Sequence, residues 1–95
     1  MEKKEKVLQT FMPGGQVKAW PAKLSKQLVI LDELARDFEL GISYEEKEVN
    51  DIIANRYEDY CLVRRMFVDL GFMRRENGVY QLLPEQNWPT YVGEE

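Results

Sequence analysis

The stretch that decides the fold runs from residue 43 to residue 83, and its centre is D-Y-C-L-V-R-R-M-F-V-D-L-G-F at Asp59–Phe72. Asp59 is a favourable N-cap residue, because its side-chain oxygen can accept from a free backbone N–H of the first turn. Gly71 can adopt the left-handed conformation that ends a helix. The sequence therefore predicts a helix between these two residues.

A second helix is predicted immediately before this one. Ser43 and Glu46 have the spacing of a capping box, which places a helix start after Ser43. Val49, Ile52 and Ile53 follow at the spacing of one helical face, which indicates a buried stripe. Two short helices in succession indicate a helix-turn-helix.

A β-hairpin is predicted after the two helices. Asn77 and Gly78 separate two runs of β-forming residues, 72–75 and 79–83. Asn-Gly in this setting is a strong hairpin signal, because a type I′ turn requires positive φ at both central residues. The predicted fold class is α+β and mainly helical, a winged helix-turn-helix with a C-terminal β-hairpin as its wing.

The flanking segments complete one domain over residues 1–95, a length that suits a single modest core. The sequence predicts an N-terminal helix and an extended arm over residues 1–23. It predicts the core over residues 24–83 and a tail over residues 84–95. Within the core, a helix is predicted from about Leu24 to a stop at Gly41, followed by a short strand over residues 41–43. Its apolar face consists of Leu24, Leu28, Leu31, Leu34 and Phe38.

The composition is that of a globular chain, with 44% hydrophobic and 32% charged residues. No apolar run approaches the roughly 18 residues of a membrane span, and no signal-peptide pattern opens the sequence. We therefore expect a cytoplasmic protein without a membrane partner. Its single cysteine, Cys61, fits a reducing compartment and is expected to be a packed thiol.

The sequence argues against an enzyme. It contains no histidine, which excludes Ser-His-Asp and Cys-His nucleophile systems and imidazole metal sites. Glu45, Glu46, Glu48 and Asp51 cluster on one predicted helix, and we interpret them as a solvated face because no phosphate-binding glycine loop accompanies them. We predict no catalytic residues, no metal and no cofactor.

Charge is distributed unevenly around a net value of −4. Residues 1–26 carry six lysines against two glutamates, residues 27–60 three basic against ten acidic residues, and residues 61–95 four arginines against five acidic residues. DNA-binding domains are usually basic overall, so the total charge speaks against DNA. The first and third segments still supply local positive charge.

Duplex DNA is the first partner hypothesis. In a winged helix the second helix of the pair enters the major groove and the wing contacts the backbone or the minor groove. The candidate contacts lie on that helix, on the first wing strand and before the core: Arg64, Arg65, Arg74, Arg75 and Lys23.

Protein contact without DNA is the alternative hypothesis, because the helix from Tyr60 to Leu70 is apolar nearly all round. With Tyr60, Val63 and Phe67 facing inward, Leu62 and Met66 face outward and could meet a second copy or another protein. In this register Arg64 needs a carboxylate partner, either Asp59 or Glu48, and Arg65 can pair with Asp69.

The tail contains two aromatic residues, Trp88 and Tyr91, which either cover the module's own core or extend this interface to a second subunit. Pro84 and Pro89 prevent the tail from continuing a strand. Both uses of the aromatic residues remain open at the level of sequence.

Several short motifs occur in a characteristic order: W-P-A-K at 20–23, G-x-x-Y-x-E-K-E-V-N-x-I-I at 41–53, R-R-x-x-V-D-x-G-F at 64–72 and R-x-x-x-G-x-Y at 74–80. Over residues 16–82 the chain thereby resembles a bacterial winged-helix family classed as a domain of unknown function. The resemblance implies a domain that occurs alone or at the C-terminal end of transcription-regulator-like proteins. It implies no catalytic residue, cofactor or ligand. Family members often carry an imidazole near position 57, where this chain has Tyr57.

Overall fold

The computed structural model describes residues 2–89, with side chains from Lys4 onward. The described residues form four helices, α1 (Glu2–Phe11), α2 (Leu24–Ala35), α3 (Glu46–Ala54) and α4 (Tyr60–Leu70), and three strands, β1 (Ser43–Glu45), β2 (Met73–Glu76) and β3 (Val79–Leu82). Short 3₁₀ turns occur at Pro13–Gly15 and Glu85–Asn87. The helices within residues 2–89 are all too short or too polar to span a membrane.

The three strands form an antiparallel sheet in the order β1-β3-β2. Strands β2 and β3 are joined at Asn77 and Gly78, whose φ angles of 55° and 79° confirm the predicted hairpin turn. Strand β1 pairs with β3 from Ser43↔Gln81 to Glu45↔Val79. The order α2, β1, α3, α4 and hairpin makes an α+β fold that is consistent with a winged-helix-like arrangement.

Helix α4 starts and ends where the sequence predicts. The Asp59 side chain accepts from the backbone N–H of Leu62 at 3.4 Å, and Gly71 ends the helix with φ of 92°. Val63 and Phe67 are buried as expected. Tyr60 is exposed, so its predicted inward orientation is wrong; as the first residue of the helix it lies beyond the packed part of the core.

Helix α3 begins at Glu46, so the predicted cap at Ser43 is wrong. Ser43 lies in β1, and its hydroxyl accepts from the Gln81 side chain at 3.0 Å. The start is marked instead by Glu48, whose carboxylate accepts from the backbone N–H of Glu45 at 2.8 Å. Pairing of β1 with β3 keeps the chain extended for two residues beyond the local cap signal.

Helix α2 ends at Ala35, well before the predicted stop at Gly41. The backbone N–H of Arg36 donates to the carbonyls of two preceding residues, and Asp37 pairs with Arg56 at 2.9 Å. This early turn allows Phe38 to enter the core from a loop rather than from the helix. Gly41 lies in that loop with φ of 89°.

The centre of the core is a continuous row of aromatic rings. Phe67 of α4 contacts Phe38 edge-on at 5.8 Å between centroids and Phe72 at the same distance. Tyr44 extends the row beyond Phe38, and Trp88 extends it beyond Phe72. Aliphatic side chains surround it, namely Leu28, Val29, Ile30, Leu31, Leu34, Val49, Ile53 and Val63.

Residues from both flanking segments complete this core. Val7 and Met12 of the N-terminal segment are buried, and so is Trp88. The Trp88 indole N–H donates to the Leu83 carbonyl at 2.8 Å, and the Arg36 guanidinium lies 5.1 Å from its ring centroid. Trp88 therefore covers the module's own core, which is the first of the two uses that the sequence left open.

Replacing Trp88 by alanine tests this role. We expect Trp88→Ala to lower the free energy of unfolding by about 3 kcal/mol, because the ring leaves a cavity beside Phe72 and loses its hydrogen bond. Urea denaturation followed by circular dichroism measures the change. The matched control is Gln86→Ala, an exposed neighbour, with an expected change below about 0.5 kcal/mol. Equal stability of the two variants would show that Trp88 does not support the core.

Candidate functional site

Arg64 is held inside the fold by partners from α3. Its guanidinium donates to the Asn50 side-chain oxygen and lies 3.7 Å from the Glu46 carboxylate. The same carboxylate accepts from the Tyr80 hydroxyl at 3.0 Å. This network joins α3, α4 and β3, and it leaves the Arg64 side chain 16% exposed.

The carboxylate partner of Arg64 is therefore Glu46, and the expectation of Asp59 or Glu48 is wrong. Glu46 is the first residue of α3, so the hydrogen bond from β3 and the cation from α4 meet at one helix terminus. The pKa of Tyr80 is raised, first by desolvation and then by its hydrogen bond to Glu46. Tyr80 therefore stays protonated and continues to donate at neutral pH.

Arg65 lies on the outer face of α4, one residue from Arg64 and in a different environment. Cys61, Arg65 and Asp69 are four residues apart and form an exposed stripe. Cys61 was expected to be a packed thiol, and this is wrong because the stripe faces solvent. Within the described residues Arg65 forms no ion pair, so the expected Arg65–Asp69 pair is not formed either.

Arg74 and Arg75 are exposed on β2 and face opposite sides of the sheet, because successive strand residues alternate. Arg74 donates to the Gln81 side chain at 3.2 Å and lies 3.8 Å from the Glu76 carboxylate. The Arg75 guanidinium lies 5.9 Å from the centroid of the Tyr80 ring. The two arginines therefore do not form one patch.

Lys23, the remaining predicted DNA contact, is exposed at the N-cap position of α2. Its side chain makes no capping hydrogen bond. It therefore adds one exposed positive charge at the start of that helix.

Exposed carboxylates occur on the same elements as the exposed arginines of α4 and the hairpin, or immediately before them. Arg65, Arg74 and Arg75 are accompanied by four exposed acidic residues on the same elements and at the start of α4: Glu58, Asp59, Asp69 and Glu76. Taken together, these elements carry three exposed positive charges and four exposed negative ones, so they have no net positive charge. We therefore expect weak attraction to the phosphate backbone, which dominates DNA affinity.

The residues predicted to form an apolar outer face on α4 are less exposed than expected. Leu62 is half-buried, and Met66 packs against the core together with Val68 and Leu70. Trp88 is internal, as described above. Tyr91, the fourth predicted interface residue, lies outside the described residues.

A different apolar surface lies at the end of the sheet opposite the hairpin turn. A groove with a volume of about 290 Å³ opens there. Leu40 stands at its rim with 61% of its surface exposed, and Ile42 is 43% exposed two residues further along. We call this surface the Leu40 groove, and its lining consists of Arg36, Phe38, Leu40, Leu82, Leu83, Glu85 and Trp88.

Sequence reasoning missed the Leu40 groove because it continued α2 to Gly41. A signal was present, since Leu40 does not fit the helical spacing of the stripe that ends at Phe38. Leu40 and Ile42 flank Gly41 and lie outside that stripe. This pattern indicates an apolar loop. Trp88 also lines the groove, although it lies far from Leu40 in the sequence. The groove therefore depends on the tertiary fold.

The polar groups beside the Leu40 groove are already paired. Arg36 lies 2.9 Å from the Asp32 carboxylate and 2.7 Å from the Glu85 carboxylate. Its hydrogen bond to Glu85 raises the pKa of Arg36, and the same contact lowers the pKa of Glu85. The ion pairs therefore persist at neutral pH and tie α2 to the segment after β3.

This chain belongs to a bacterial protein family. The family is described as an uncharacterized protein conserved in bacteria (DUF2087), and its model matches residues 16–82, more than half of the chain. The matched region contains α2, α3, α4 and the whole sheet. Helix α1 and Trp88 lie outside it, although both contribute buried side chains.

No curated protein and no solved structure matches the chain.

The two adjacent arginines of α4 allow a matched test of the Arg64 network. We expect Arg64→Ala to lower the free energy of unfolding by about 2 kcal/mol, because Asn50 loses a charged hydrogen-bond donor in a half-buried site. Arg65→Ala should change it by less than about 0.5 kcal/mol, since Arg65 is exposed. Chemical denaturation of both variants measures the difference. Equal effects would contradict a structural role for Arg64.

Proposed function

We propose that the protein is a non-enzymatic winged-helix module of a transcription-regulator-like bacterial protein, and that it works through protein contact. The proposed contact surface is the Leu40 groove. The order of helices and strands supports the winged-helix part of this proposal, and the family match supports a bacterial protein. The exposure of Leu40 supports the second.

The observation that carries the proposal is an aliphatic side chain left exposed at the edge of an apolar concavity. Burying a leucine side chain contributes roughly 1.5–3 kcal/mol, so leaving Leu40 in water has a cost unless a partner covers it. Exposed apolar surface beside a groove is typical of binding sites. Phe38, Leu82 and Leu83 supply the apolar walls that such a partner would contact.

The outer face of α4 is a poorer contact surface. Its apolar residues Met66, Val68 and Leu70 are partly buried against the core. The exposed stripe consists of a thiol, an arginine and an aspartate, which a partner would have to desolvate. Protein contact therefore fits the groove better than the helix.

Photocrosslinking at position 40 tests the proposed surface. A full-length chain carrying p-benzoylphenylalanine in place of Leu40 is expressed in its bacterial host and irradiated. We expect a discrete protein adduct at this position, since the residue lies within a contact. The matched control carries the same group in place of Leu24, an exposed leucine at the start of α2, and should give no adduct. Adducts at neither position would contradict the proposal.

Contact with duplex DNA is the second candidate function, and one observation favours it. Arg65 is exposed on α4 and free of ion pairs within the described residues, with Arg74 and Arg75 exposed on the neighbouring hairpin. In a winged helix these elements would face the duplex. The carboxylates around them weigh against it.

Fluorescence anisotropy with a labelled random duplex at two salt concentrations compares the two functions. If protein contact is the function, we expect the protein to bind the duplex weakly. This binding should not change when Arg65, Arg74 and Arg75 are replaced together by alanine. If DNA is the partner, the triple variant binds every sequence more weakly. Its salt dependence should then flatten by a slope of roughly one per lost phosphate contact.

A further inference from the structure

We propose that residues 84–89, which we call the latch, open and close on the core as a unit, and that the Leu40 groove exists only while the latch is closed. The second part of this inference rests on the proposed function, because it names what controls that contact surface. The latch contains the 3₁₀ turn Glu85–Asn87 and the buried Trp88. Glu85 and Trp88 line the groove, and both lie outside the region that the family model matches.

The backbone of the latch forms hydrogen bonds within itself. Strand β3 ends at Leu82. Beyond it, the N–H groups of Asn87 and Trp88 donate to carbonyl groups three residues earlier in the chain, inside the latch. These bonds can persist when the latch leaves the core. A segment of this kind opens at a lower free energy than strands or helices whose bonds and packing belong to the core.

Two side chains fasten the latch to the core. The Trp88 ring lies 5.4 Å from the Phe72 ring between centroids, and its indole N–H donates to the Leu83 carbonyl at 2.8 Å. The Glu85 carboxylate lies 2.7 Å from the guanidinium of Arg36, at the C-terminal end of α2. Because these contacts are concentrated in two side chains, their loss frees the segment as a whole.

Arg36 touches both of these side chains and is therefore the positioning residue of the latch. Its guanidinium donates to Glu85 and lies 5.1 Å from the centroid of the Trp88 ring, which adds a cation–π contact. It also pairs at 2.9 Å with Asp32, whose side chain is only 8% exposed. A buried carboxylate without its cation is costly, so Asp32 keeps the guanidinium in place. Arg36 thereby presents a fixed cation to the latch.

Opening of the latch dismantles the groove. The Phe72 ring, which is fully buried when the latch is closed, loses the cover of Trp88. The groove loses the wall that Glu85 and Trp88 form, whereas Phe38 and Leu82 stay with the core. A partner that binds the closed groove therefore favours the closed latch, and its apparent affinity falls with the closed fraction.

Native-state hydrogen exchange of the full chain tests the latch. The indole N–H of Trp88 and the backbone N–H of Phe67, in α4, are followed at several urea concentrations below the unfolding transition. We expect the indole N–H to exchange faster and almost independently of urea, because a local opening exposes little surface. Equal exchange rates with the same urea dependence would overturn the proposal.

Three substitutions test Arg36 as the positioning residue. Arg36→Gln should speed exchange of the Trp88 indole N–H roughly tenfold, because the latch loses an ion pair and a cation–π contact. Glu85→Gln removes only the ion pair and leaves Asp32 paired, so we expect a roughly threefold increase, which can be measured even if Arg36→Gln fails to fold. Arg65→Gln is the matched control and should leave the rate unchanged. An unchanged rate in every latch variant that folds would overturn the proposal.

Photocrosslinking at position 40 tests whether the groove depends on the latch. We expect Trp88→Ala to lower the yield of the protein adduct at least roughly fivefold in a folded chain, because the main anchor is gone, and Gln86→Ala to leave it unchanged. An undiminished yield in Trp88→Ala would overturn the dependence and retain the proposed function. No adduct in the wild type would overturn both, and the exchange experiment would still decide whether the latch opens.

Discussion

The contact of Phe67 with Phe38 and Phe72 is the constraint on which the remaining structure depends. Phe67 projects from α4, Phe38 from the loop after α2, and Phe72 from the chain that enters β2. This one ring therefore fixes the positions of a helix, a loop and the hairpin. Because Phe38 must reach Phe67, α2 ends early and residues 39–42 run over the surface. That loop carries Leu40 and creates the groove at its edge.

The same packing determines which residues of α4 are available to a partner. Val63 and Phe67 occupy the core face, and Arg64 turns toward Glu46 and Asn50 of α3. Arg64 was predicted to contact DNA because it lies on the second helix of the pair. Here it connects α3 to α4 through a network that also includes β3. The exposed residues of the helix are then Tyr60, Cys61, Arg65 and Asp69.

Local signals in the sequence predicted the elements whose ends are determined locally. Asp59 and Gly71 mark the ends of α4, and Asn77 with Gly78 makes the hairpin turn, because each of these residues acts within its own few neighbours. The errors arose where distant parts of the chain decide the outcome. Ser43 pairs with Gln81 across the sheet rather than capping a helix. The candidate site depends on Leu40, Leu82 and Trp88, which only the folded chain brings together.

The Leu40 groove, and not the outer face of α4, is the proposed site of contact with a partner. Amide NMR spectra of the ¹⁵N-labelled full chain, recorded in lysate of the bacterial host and then with a random duplex, test this most directly. We expect line broadening or shifts at Leu40, Ile42, Leu82 and Leu83 in lysate, and no shifts on addition of DNA. Shifts confined to Arg65, Asp69 and the hairpin on addition of DNA, with a groove unaffected by lysate, would contradict it.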